Sequence, residues 1–136
     1  MKLKELFEMQ ERSVLSVYGK QKDQHSGNFD CYSNKLTSLK GAPQTVGGYF
    51  YCSNNKLTSL KGIHKRIKHI DGIADFDGNP IKSHVLGLLK IDGLKEVYLD
   101  NEDVQDIINK YLKGDRDIFA CQEELIDAGL EEFAQL

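Results

Sequence analysis

Asp75 and Asp77 are two carboxylates two residues apart, a spacing suited to acid–base work or to holding a cation. On an extended segment, residues i and i+2 point to the same side, so both would share one face. Acid–base chemistry needs one of the pair to keep a proton, and that needs an enclosing cleft. No flanking motif supplies one. The stretch from Asp71 to Asn79 has the composition of a calcium loop. Counted from Asp75, however, its glycine falls at the fourth place rather than the sixth, and Leu86 stands at the twelfth, where a bidentate glutamate belongs. Cys31, Cys52 and Cys121, with His25, His64, His69 and His84, lack the paired spacing of a zinc site. There is no G-x-S-x-G, P-loop or H-E-x-x-H motif. No metal, no cofactor and no enzymatic activity are expected. Recognition is the chemistry that remains. It would rest on tyrosines and carboxylates, or on the basic run from Lys61 through His64, Lys65, Arg66 and Lys68 to His69, which could meet phosphates.

Charge separates along the chain. The 136 residues carry a formal net charge of -3, mild for a dedicated nucleic-acid binder. Residues 35–69 hold seven Lys and Arg side chains and no carboxylate. Residues 100–136 hold eleven acidic and three basic side chains, a balance of -8. Such asymmetry bears on partners more than on fold. No apolar run approaches the roughly 18 residues of a membrane span. The first eleven residues lack the apolar stretch of a signal peptide. A cytoplasmic location is expected, with the three cysteines reduced.

The elements that position these residues come from a repeat. Phe29-Asp-Cys-Tyr-Ser-Asn-Lys-Leu-Thr-Ser-Leu-Lys-Gly41 returns 21 residues later as Phe50-Tyr-Cys-Ser-Asn-Asn-Lys-Leu-Thr-Ser-Leu-Lys-Gly62, identical at 10 of 13 positions. A worn copy follows at Ala74-Asp-Phe76-Asp-Gly-Asn79-Pro-Ile81 after a three-residue insertion. Leu94 to Asn101 echoes the strand but drops a residue before the asparagine. Leu15-Ser16 reads as a degenerate first copy. Alternation predicts that Phe29, Cys31, Phe50 and Cys52 face a core. Each repeat asparagine should satisfy backbone groups where the chain turns inward. Gly41, Gly47, Gly48 and Gly62 are read as tight bends on the return path.

Reduced to Phe29-x-Cys31-x-x-Asn34-x-Leu36-x-x-Leu39, the unit resembles the leucine-rich repeat family, at the short end of its length range. The resemblance covers residues 27–101. It implies an α/β solenoid, with a short parallel sheet whose outer strand face binds partners. The Leu-Thr-Ser-Leu-x-Gly units and the tail from Ala120 to Phe133 also resemble small repeat proteins of tailed phages. That likeness implies a phage accessory protein.

The ends should cover the sheet. Met1–Met9 reads as a short amphipathic cap. Residues 102–113 read as a helix with Asn101 as N-cap and Gly114 as stop. A second helix is predicted from Asp117 to Phe133. Residues 1–101 would thus form cap and solenoid, and residues 102–136 an acidic helical cap packed into the same domain.

The repeat places Asp30, Tyr32, Tyr49, Tyr51, Ser53, Asp75 and Asp77 on the outer strand face. Tyrosine gives rigid, amphipathic contact area, and the carboxylates beside it favour a basic surface. The expected function is non-enzymatic protein binding. The partner would be a protein, a host or defence enzyme with a basic surface, which the chain would inhibit. Glu123, Glu124, Glu131 and Glu132 form a second candidate surface. The alternative is a nucleic-acid or phosphate binder using Lys61–Lys68. Outside that alternative, nucleic acid is not an expected partner of the chain, and no membrane is expected.

Overall fold

The computed structural model describes residues 11–136. It is a six-stranded parallel sheet with helices, an α/β fold. The strands are β1 (Gln24–His25), β2 (Phe29–Asp30), β3 (Thr45–Val46), β4 (Phe50–Tyr51), β5 (His69–Asp75) and β6 (Asp92–Tyr98). The helices are α1 (Val14–Tyr18), α2 (Ile63–Arg66), α3 (Glu102–Lys113) and α4 (Ile118–Asp127), with a 3-10 turn at Leu86–Lys90. The predicted cap at Met1–Met9 lies outside the described residues.

The sheet is best described in rows. β1 and β2 form the first row, β3 and β4 the second, β5 the third and β6 the fourth. Phe29, Phe50, Ala74 and Val97 are register partners across them. The offset between the first two is the 21 residues of the sequence repeat. Between Phe50 and Ala74 it is 24, which accommodates the three-residue insertion.

The inward residues build the core. Phe29 stacks on Phe50 with centroids 5.8 Å apart, and Phe50 tilts against Phe76 at 5.9 Å. Phe50 and Cys52 in the second row face Ala74 and Phe76 in the third, and all four are fully buried. The large and small side chains trade places between rows. Total volume is kept, which is the substitution a close-packed core tolerates best.

The repeat asparagines close the turns after the strands. Asn55, 2 % exposed, accepts from the backbone N–H groups of Asn34 (3.0 Å) and Leu36 (2.9 Å). Its amide donates to the carbonyls of Cys31 (3.0 Å) and Cys52 (3.1 Å). Asn79 repeats the pattern one row on, with Leu57 N–H (3.1 Å) and the Cys52 carbonyl (2.8 Å). Each buried asparagine thus stitches its own row to the preceding one.

The fourth row ends against α3. Asn101 caps this helix by accepting from Val104 N–H (3.1 Å), as the sequence predicts. Val104, Ile108 and Leu112 are buried. Two polar side chains of α3 also serve the outer edge of β6. Asn109 bonds both the N–H (2.8 Å) and the carbonyl (3.0 Å) of Val97, and Gln105 accepts from Leu99 N–H (2.8 Å). An unpaired strand edge is thereby closed by side chains.

Three expectations need correction. Gly47 and Gly48 lie between β3 and β4, inside the second row, and not on the return path. Gly47 donates to the His25 carbonyl (2.8 Å), and Gly48 packs so close to Asn28 that a Cβ would sit 2.4 Å from its Oδ1. The glycines permit close approach of neighbouring backbone. Leu15-Ser16 is no strand copy; it lies in α1, where Ser13 and Ser16 form a reciprocal capping box. α4 ends at Asp127, well short of Phe133, because the chain turns at Gly129 with φ +78°.

Candidate functional site

The outer side of the sheet presents one continuous register row, Asp30, Tyr51, Asp75 and Tyr98. Neighbouring strands lie ~4.8 Å apart, so these four residues span roughly 14 Å. Tyr32 and Ser53 follow two residues on, at adjacent positions joined by the Ser33 N–H to Ser53 carbonyl bond (3.0 Å). Asp77 comes next, linked through Asn54 N–H to the Asp77 carbonyl (2.7 Å). All of Asp30, Tyr32, Tyr49, Tyr51, Ser53, Asp75 and Asp77 therefore reach the predicted side, exposed or half-buried. Tyr32 is the most open of the tyrosines, at 54 %.

Tyr49 sits beside Tyr51, edge to face, with centroids 5.9 Å apart. Its ring lies over Gly72 of the next row. A Cβ at Gly72 would come within 2.7 Å of the Tyr49 ring. Gly72 also has φ +111° and marks a register shift against β6. The glycine thus creates the shelf on which Tyr49 rests, and two rotors become one fixed aromatic pair.

Carboxylates gather toward the fourth row. Asp77 is held above its ordinary pKa by partial burial first, then by the charges of Asp75 and Asp100. Asp75 accepts from Asp77 N–H (3.0 Å), and Asp100 accepts from Gly78 N–H (2.7 Å). Both carboxylates therefore brace the turn as well as charge the face. Tyr98 is pushed up chiefly by the Glu96 charge. Beyond Asp77 the surface dips into an open hollow of about 560 Å3 lined by Tyr98, Asp100, Glu102 and Asp106. The Asp75–Asp77 pair is not enclosed, so its geometry suits attraction of a cation-bearing surface better than proton transfer.

Glu96, Tyr98 and Asp100 belong to this face, and the sequence reading left them out. The signal was present: the alternation applied to Phe29-x-Cys31, carried to Val97-x-Leu99, puts all three outward.

The acidic tail is more structural than the face. Glu124 takes an ion pair from Lys110 (2.7 Å) and a hydrogen bond from the Tyr111 hydroxyl (3.0 Å). Those two bonds hold Glu124 below the usual carboxylate range, and the bond to Glu124 with its charge raises Lys110. Glu123, Glu131 and Glu132 are exposed. The last segment runs back along residues 84–86, accepting from His84 and Val85 through Glu132 and Phe133, and its Leu136 carbonyl accepts from Gly62 N–H (2.8 Å). Arg116, a cation within the acidic region, donates to the carbonyls of Ile91 (2.8 Å) and Leu94. Phe119 on α4 is 82 % exposed.

Cys31, Cys52 and Cys121 are free and buried. The Cys31 thiol is driven upward by its contact with Cys52 and by burial; Cys121 is pushed up to about 12, mainly by burial. Among the described residues, no three His, Cys, Asp or Glu side chains converge as metal ligands. No helix there is long and apolar enough to cross a membrane. The basic run occupies α2 and its flanks and ends in His69 at the start of β5. No protein-family model matches the chain, no curated protein matches its sequence, and no solved structure matches it.

Proposed function

We propose that this chain is a non-enzymatic protein-binding module, a short leucine-rich-repeat-like solenoid of phage origin that binds and inhibits a host or defence protein. The in-register rows and the buried Asn55 and Asn79 support the repeat reading. One observation carries the binding reading. Tyr32, Tyr49, Tyr51 and Tyr98 stand on a single side of a rigid sheet, interleaved with Asp30, Asp75, Asp77 and Asp100. Aromatic anchors of this kind supply most of the energy in protein interfaces. The interleaved carboxylates select a partner with Lys or Arg at matching places and speed its approach. Inhibition then follows by occlusion of the partner's basic surface, in the cytoplasm of the host.

The test is capture from a bacterial lysate on immobilised chain, wild type beside the Tyr32→Ala/Tyr51→Ala variant. A host protein retained by the wild type and lost from the variant is the expected result. A protein captured equally by both would rule out the strand face.

A further inference from the structure

The basic run does not act alone in the fold. Lys61, Lys65 and Arg66, around α2, share an open groove of about 670 Å3 with Lys20, which comes from the loop after α1. A second groove of about 710 Å3 adjoins it. Lys20 and Gln21 line both, and Lys22, His25 and His69 extend the second. Five Lys and Arg side chains thus surround one trough, and Asp23 is the one carboxylate lining it among the described residues. None of the five is in an ion pair with another described residue. His64, on α2, is held low by burial first and then by Lys90, Lys65 and Lys68, of which Lys65 lines the trough.

Unpaired like charges on a fixed surface repel one another. A ligand that neutralises them binds with that repulsion as part of its driving force. The lining narrows the ligand class. Among the described residues its apolar side chains are Leu15 and Ala42 only, with no aromatic or large aliphatic cluster, so an acidic protein segment would find no anchor pocket. Among the described residues it holds no Tyr, Phe or Trp, so bases would find nothing there to stack on. What it offers is a line of cations, some on flexible stems, along two joined grooves. That suits a backbone of regularly spaced phosphates, bound through charge and counterion release.

We propose that the trough between the α1–β1 loop and α2 binds the phosphodiester backbone of a nucleic acid, without reading its sequence. The site shares no residue with the tyrosine face. The two surfaces are independent, and either can fail without the other.

The experiment is fluorescence anisotropy with a labelled oligo-thymidine, an oligo-uridine and a duplex of equal length, each over a salt series. If four or five phosphates of a single strand are neutralised, log K against log salt falls with a slope of about -3. Lys20→Glu/Lys65→Glu, exposed in both cases, should remove two contacts. The slope then becomes shallower by about 1.4, and affinity at low salt falls about 10- to 100-fold. Lys35→Glu/Lys56→Glu makes the same charge change at exposed positions outside the trough and should leave the slope unchanged. Melting curves for each variant check the fold, and glutamine replacements serve where a glutamate lowers the transition. The proposal is overturned if no saturable binding occurs at low salt, or if both double variants weaken binding alike. It is also overturned if inorganic phosphate displaces the oligomer at equal phosphate concentration, since the trough would then take single anions.

Discussion

Asn55→Ala is the substitution whose cost follows most directly from the geometry. The amide serves two N–H groups and the carbonyls of Cys31, Cys52 and, more weakly, Ser53, which keeps its bond from Ser33 N–H, and its residue is 2 % exposed. Truncation does not strand them all. The Cys52 carbonyl keeps its bond from Asn79 (2.8 Å). Asn34 is half-buried, so water can reach its N–H. Leu36 N–H and the Cys31 carbonyl are left without partners beside fully buried side chains. A stranded buried group costs about 1–3 kcal/mol, so the pair costs about 3 kcal/mol, with little relief from the small void. For a chain of this length that lowers Tm by about 10 °C. Lys56 is exposed and offers a solvated charge, so Lys56→Ala should change stability by less than about 0.5 kcal/mol. Asn34→Ala belongs between them, near 1 kcal/mol, because Asn34 lies on the first row and is only half-buried. Urea denaturation of the three variants, with m-values unchanged, gives the comparison. If the midpoints of Asn55→Ala and Lys56→Ala coincide, the buried asparagine does not hold the rows together and the energetic argument for the repeat is wrong.

Cys31, Cys52 and Cys121 should react with a thiol reagent only as fast as the protein unfolds, since all three are buried and the thiols of Cys31 and Cys121 are also pushed up; stoichiometric labelling within seconds under native conditions would contradict their placement. Gly72→Ala should cost more than about 1 kcal/mol, from the positive φ and the collision with the Tyr49 ring, and should alter the near-UV circular dichroism of the tyrosines; an unchanged spectrum and melting curve would remove the shelf from the account. Asp77→Asn should raise Tm at neutral pH. The folded-state pKa of Asp77 is raised, so its charge destabilises the fold above that pKa, and the gain should vanish as pH falls through the raised value toward 3.8. A gain that persists unchanged at pH 3 would show that the ionised Asp77 carboxylate, with its burial and its Asp75 and Asp100 neighbours, is not its source.

The parts of the fold legible in the sequence were those that repeat. Phe29–Gly41 and Phe50–Gly62 announce their register by identity, and the alternation of Phe29, Asp30, Cys31 and Tyr32 assigns the two faces. Asn101 and the apolar spacing of Val104, Ile108 and Leu112 announce α3. The short ladder of β1 and β3 was hidden because Gln24-His25 and Thr45-Val46 offer only two residues each, too few for any period. Gly47 and Gly48 were misread for a related reason: glycine signals either a bend or a close backbone approach, and only the neighbouring Asn28 distinguishes them. The basic trough was half legible. Lys61–Lys68 is contiguous, while Lys20 and Lys22 join it only through the packing of the α1–β1 loop. The role of Arg116 is invisible in sequence, because its carbonyl partners lie more than twenty residues away.

The central claim is that the Tyr/Asp face is the protein-binding surface. Calorimetric titration of the captured partner against three forms of the chain tests it most directly. The forms are the wild type, Tyr32→Ala/Tyr51→Ala, and Glu123→Lys/Glu131→Lys/Glu132→Lys. Loss of one anchor tyrosine costs about 2 kcal/mol, so the first variant should bind at least about 30-fold more weakly, with its melting transition nearly unchanged. The tail variant should keep the wild-type Kd within a few-fold. Undiminished binding by the tyrosine variant, together with loss of binding by the tail variant, would move the interface to the exposed acidic residues around α4 and contradict the claim.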